Sequence, residues 1–105
     1  MGDRGQVYIK DEGVYLYTHW NASELVETVR KALAKRWRWD DPSYLARIIF
    51  DEMIGPKQGS ETGFGISTTK AGDAWLLIEI DCKNQTVTIK DYTQNKSIAF
   101  EEFIK

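Results

Sequence analysis

The chain has 105 residues, 42% of them hydrophobic, 29% charged and 12% aromatic, with a formal net charge of −2. That length fits one domain, and no apolar run approaches the ~18–20 residues a membrane-spanning helix needs. The weakly acidic balance argues against a general binder of duplex nucleic acid, because such binding runs on clustered positive charge.

The first elements read as a hairpin. Gln6-Val7-Tyr8-Ile9-Lys10 and Val14-Tyr15-Leu16-Tyr17-Thr18-His19 both alternate with period two, around the turn residues Asp11-Glu12-Gly13. Val7, Ile9, Val14 and Leu16 are expected on the core face, and Tyr8, Tyr15, Tyr17 and His19 on the other. A helix follows, with Asn21 as its expected cap and Glu24 completing a capping-box pattern; Ala22, Leu25, Val26, Val29 and Leu33 form its apolar stripe, which fades near Arg36. Asp41 and Pro42 mark the start of a second helix, whose inner stripe is Leu45, Ile48, Ile49 and Met53 and which Gly55-Pro56 ends.

After a loop over 57–62, Gly63-Phe64-Gly65-Ile66-Ser67 reads as a strand with one nearly bare side, formed by Gly63, Gly65 and Ser67. Glycine in a strand often marks close approach of a backbone or a ligand. The run 75–81 reads as a central strand and 86–90 as its hairpin partner, followed by a polar connection over 92–96 and a short terminal helix carrying Phe100, Phe103 and Ile104. The expected fold is therefore α+β, a mostly antiparallel five-stranded sheet with two helices on one face, in the order β-β-α-α-β-β-β-α. Tyr8, Tyr15, Tyr17, Trp75 and Leu77 would line the other face, an apolar patch that predicts an interface, most simply a homodimer, unless the terminal helix covers it.

The common catalytic signatures are missing. Neither Gly55-Pro56-Lys57 nor Gly63-Phe64-Gly65 has the spacing of a phosphate-binding or dinucleotide motif, and no Gly-x-Ser-x-Gly elbow occurs. The single cysteine, Cys82, leaves no internal disulfide and reads as an inert thiol. The start Met1-Gly2-Asp3-Arg4 does not make a signal peptide, so the protein is expected in the cytoplasm, and the three Asn-x-Ser/Thr patterns at Asn21, Asn84 and Asn95 are chance matches. No metal site and no cofactor is expected. Adjacent acids such as Asp51-Glu52 do not converge on a helix, whereas Arg47 and Asp51 have the i, i+4 spacing of a surface ion pair.

Two segments carry candidate chemistry. His19-Trp20, at a strand–helix junction, holds the chain's one histidine. It is either a ligand contact or a general base, or a ring held by a nearby carbonyl above a packing tryptophan. In Arg36-Trp37-Arg38-Trp39, basic residues interleaved with indoles suit an anion and a stacked base, with Arg38 on the anion and Trp37 or Trp39 on the ring. The same residues would equally anchor the corner between the helices, with Asp40 paired to Arg36 or Arg38. The candidate ligand site comprises His19, Trp20, Arg36, Trp37, Arg38, Trp39, Gly63, Gly65 and Ser67, with the glycines admitting the ligand. The expected function is non-catalytic capture of a small anionic or nucleotide-like ligand. The alternatives are docking on a host protein through the aromatic sheet face, and a small enzyme using His19.

Met1-Gly2-Asp3-Arg4, Tyr17-Thr18-His19-Trp20, Arg38-Trp39-Asp40-Asp41-Pro42 with Tyr44-Leu45-Ala46-Arg47-Ile48, and Thr62-Gly63-Phe64-Gly65-Ile66-Ser67 resemble a group of small hypothetical proteins of bacteria and their phages. The similarity spans residues 1 to about 68. It implies no catalytic residue and no cofactor. By analogy with other small phage proteins it implies a sponge or inhibitor acting on a host defence.

Overall fold

The computed structural model describes residues 3–105. Strands β1 (Gly5–Ile9) and β2 (Val14–Thr18) form the expected hairpin, with Val7 opposite Leu16 and Tyr8 opposite Tyr15. A 3-10 turn over Ala22–Glu24 leads into α1 (Leu25–Ala34), and α2 (Pro42–Ile54) follows. Then come β3 (Phe64–Ser67), β4 (Leu76–Asp81), β5 (Thr86–Lys90), β6 (Asn95–Ala99) and the short α3 (Phe100–Phe103).

The sheet corrects the sequence reading in two respects. It has six strands, ordered β3-β2-β1-β4-β5-β6, and it is mixed, because β1 and β4 run parallel. A parallel neighbour needs a crossover of a dozen or more residues, and the two helices with β3 supply it. Each strand's own alternation does not reveal which strand lies beside it. The sixth strand escaped because Asn95-Lys96-Ser97-Ile98-Ala99 is an edge strand with only Ile98 drawn toward the core; it is held by its ladder to β5 and by a 2.8 Å bond between the Thr88 and Ser97 hydroxyls.

Val7, Ile9, Leu16, Ile78, Ile80 and Val87 pack against Leu25, Val29, Leu33, Leu45 and Ile49 in a single core cluster. Phe100 and Phe103 join that same cluster, so α3 closes an end of the helical side and does not cover the opposite face. Asp41 caps α2 as expected, its Oδ1 accepting from Tyr44 N at 3.4 Å. Asn21 makes no side-chain cap, and Glu24 completes no capping box. The first turn is held instead by Asp3, whose Oδ2 accepts from Ser23 N at 2.8 Å while its Oδ1 accepts from Trp75 Nε1 at 2.8 Å.

This clasp predicts a pH effect. Hydrogen bonding from the Ser23 side chain, then from its backbone N–H and the Trp75 indole, holds the Asp3 carboxyl below its ordinary value. A depressed carboxyl stabilises the fold above the unfolded value, about 3.9, and that contribution is lost as pH falls through the folded one. Asp3→Ala is expected to cost about 0.5–2 kcal/mol at pH 7, the range for a lost helix cap. The difference from wild type should shrink below about pH 4. Urea melts at pH 7 and pH 3 check both; an unchanged difference at the two values would defeat the account.

Candidate functional site

Residues 68–74 form a strap across the sheet face turned away from the helices. Ala71 N donates to Gln6 Oε1 at 3.0 Å, Arg4 Nη1 meets Asp73 Oδ2 at 2.9 Å, and Trp75 N donates to Arg4 O at 3.0 Å. Beneath the strap Gln6 is 1% exposed and Leu77 8%. Tyr8 and Tyr15 remain half-buried and stack on each other, with ring centroids 4.3 Å apart. Of the residues expected at an interface, Tyr8, Tyr15 and Tyr17 share this face, Leu77 lies under the strap, and Trp75 is drawn into the Asp3 clasp.

Two clefts meet at Tyr17. The larger, about 370 Å³, runs between strap and sheet and is lined by Gln6, Tyr17, Gly65, Ser67, Thr69 and Lys70 among others. A Cβ built on Gly65 would meet nothing within 4 Å, so this glycine leaves the cleft floor open. The smaller, about 230 Å³, is lined by Tyr17, His19, Trp20, Thr62, Gly63 and Phe64. Gly63 serves a different purpose. Its φ is +103° and a Cβ there would stand 2.3 Å from Trp20 Cζ3, so the space it leaves is filled by the indole. Trp20 also meets Phe64 edge-on at 6.1 Å, and the residue remains 41% exposed.

Arg4 Nε donates to His19 Nδ1 at 3.2 Å, so Nε2 carries the proton of the neutral ring. The Tyr17 hydroxyl stands 3.5 Å from the same nitrogen. Burial first, and the Asp73 charge second, push the Tyr17 phenol up and keep it a donor. His19 is thus held by an arginine side chain and not by a backbone carbonyl. The 3-10 turn Gly55–Lys57 that closes α2 brings Lys57 Nζ over the Trp20 ring, 5.1 Å from its centroid. Among the described residues, Lys57 is the one cation over an aromatic ring that has no carboxylate in ion-pair range.

The Arg/Trp corner lies elsewhere. Trp39 packs edge-on against Phe100, whose N–H donates to Gln85 O, at the end of the sheet where Asp81 pairs with Thr86. His19 follows Thr18, at the end where Gly5 pairs with both Thr18 and Leu76. The two segments are therefore separated by the length of β4, about 17 Å. The corner's charges are also engaged internally. Arg36 makes a two-pronged pair with Glu101 and lies over Trp39; Arg38 pairs with Asp41 at 3.8 Å and lies over Tyr44. Asp40 takes part in neither pair. Arg36 and Arg38 sit at φ +61° and +57°, and Arg36 N donates to Leu33 O where α1 ends. Trp39 Nε1 donates to Leu33 O at 3.0 Å, whereas Trp37 stays 58% exposed.

Tyr17, His19, Trp20, Gly63, Gly65 and Ser67 are thus brought together, and Arg36, Trp37, Arg38 and Trp39 are not. Gln6 and Lys70 line the larger cleft, Arg4 bonds His19 and Lys57 lies over Trp20, none of them singled out as site residues by the sequence. A lone polar residue's contact partners leave no periodic signal. Among the described residues no three His, Cys, Asp or Glu side chains gather as metal ligands. Among the described residues no helix is long and apolar enough to cross a membrane.

Cys82 is buried, and burial, followed by the charges of Asp11, Asp81, Asp41 and Asp40, pushes its thiol up to about 12. The native protein is expected to leave a disulfide reagent unreacted at pH 8, with one thiol released in urea. Native reaction at the rate of a free thiol would refute this.

No family model matches the chain, and neither a curated protein nor a solved structure matches it.

Proposed function

We propose that the protein is a non-catalytic binding protein that captures a small anionic, nucleotide-like ligand in the two clefts around Tyr17. The carrying observation is their joint chemistry. An open, glycine-floored cleft of about 370 Å³, inside the ~300–1,000 Å³ range of ligand pockets, adjoins one lined by His19 and Trp20, and the unpaired Lys57 lies over the Trp20 ring. A ring fits over Gly65 against Tyr17. The anionic group meets the His19 Nε2–H and Lys57, which leaves its indole for a stronger partner. On the resemblance to phage-borne proteins, such capture would sequester a host ligand and not convert it.

Calorimetry with a panel of nucleoside monophosphates tests this. Binding is expected in the wild type, weakened about tenfold or more in Lys57→Glu and in His19→Ala, each removing a charge-assisted or polar contact to the anion. No heat with any member of the panel overturns the reading. Loss of binding in Arg38→Ala alone would return the site to the helix corner.

A second reading is docking through the sheet face, with a second copy of the chain as partner. It is favoured by the stacked, half-buried Tyr8–Tyr15 pair beside the strap. Native mass spectrometry is expected to show a dimer that Tyr15→Ala dissociates; a wild-type monomer at every concentration removes this reading.

A further inference from the structure

Gln6 is the most deeply buried polar side chain of the strap cleft, at 1% exposure. Its Oε1 accepts the Ala71 N–H at 3.0 Å, which settles which way the amide faces. Its Nε2 has no protein partner among the described residues, yet no buried side-chain polar atom is sealed away without one. The amide N–H2 therefore opens into the cleft that Gln6 lines. A nearly buried donor that makes no bond within the described protein favours a ligand presenting an acceptor there. Gly65, Tyr17 and Gln6 are register neighbours across β3, β2 and β1, at ~4.8 Å per strand, so the floor for a ring and the amide that meets its edge lie in one row.

We propose that Gln6 makes the strap cleft selective for a ring whose edge presents a carbonyl acceptor, as uracil does, over one presenting an amino group in the same place, as cytosine does. This rests on the capture reading above and deepens it. The Ala71 N–H holds the Gln6 oxygen, so the side chain does not turn over to accept from an amino group. Lys70, at the cleft's rim with no carboxylate in ion-pair range among the described residues, adds positive charge at the same site. An amino-edged ring would set donor against donor, and discrimination of this kind comes as much from the mismatch as from the match.

The test is calorimetry of the full chain with uridine 5′-monophosphate and cytidine 5′-monophosphate. The uridine nucleotide is expected to bind about tenfold more tightly or better. Gln6→Glu keeps an oxygen for Ala71 N–H and exchanges the donor for an acceptor, so the preference should vanish or reverse. Equal affinity of the wild type for both nucleotides overturns the inference and leaves capture standing. No binding of either, or of any other nucleoside monophosphate, overturns capture and the inference together. If Gln6→Glu fails to fold, the wild-type comparison still decides, joined by the Gln6 side-chain amide resonances. Binding of the uridine nucleotide that leaves those resonances unmoved also overturns the inference.

Discussion

Phe100→Ala is expected to destabilise the protein by about 3–5 kcal/mol, the range for deleting a buried phenylalanine ring. Against a typical total of about 5–15 kcal/mol this is a large share of the whole. Phe100 is 1% exposed and lies where three parts of the chain converge. Its ring meets Trp39 at 5.2 Å, its N–H donates to Gln85 O at the β4–β5 turn, and its own turn carries Glu101 to Arg36. Removing the ring opens the core at the sheet end and takes away the surface on which Trp39 rests. Trp39 in turn holds Arg36, whose left-handed backbone ends α1. Phe100→Leu keeps most of the volume and should cost much less. Urea denaturation of both variants checks this; a loss below about 1 kcal/mol for alanine would mean the site collapses around the gap.

That convergence also explains why the helix corner looked like a binding site. Basic residues alternating with tryptophan are the right chemistry for an anion and a stacked base. The sequence does not show that Glu101, 65 residues on, returns to pair with Arg36. A charge is available to a ligand only if the fold leaves it unpaired, and pairing is a tertiary property. The apolar alternation of β1, β2, β4 and β5 and the stripes of both helices were legible because burial itself selects that pattern. The polar β6 was not legible, since an edge strand needs no apolar alternation. The parallel β1–β4 pair was also hidden, because hydrogen-bonding partners leave no trace in either strand's pattern. At the site, the bare side of β3 was readable from Gly63, Gly65 and Ser67, yet the two glycines do opposite things. Gly63 admits a residue of this chain, and Gly65 leaves space for something else.

The pair Gly63→Ala and Gly65→Ala separates structure from binding. At Gly63 a side chain meets a φ of +103° and three atoms of the Trp20 ring, at 2.3, 2.7 and 2.9 Å. The left-handed backbone penalty and the overlap together should cost about 1–3 kcal/mol. Trp20 can escape outward, since 41% of it is already exposed, so the expected product is a folded, less stable protein with the indole displaced. Its fluorescence should shift red, and nucleotide binding should fall with it. Gly65 has no positive φ and nothing within 4 Å of its absent Cβ, so alanine there should leave stability within about 0.5 kcal/mol of wild type. The added methyl nevertheless stands on the floor of the strap cleft. If a ring lies there, Gly65→Ala weakens nucleotide binding without moving the melting curve. Undiminished binding in Gly65→Ala, with Gly63→Ala impaired, would confine the ligand to the Trp20 side of Tyr17.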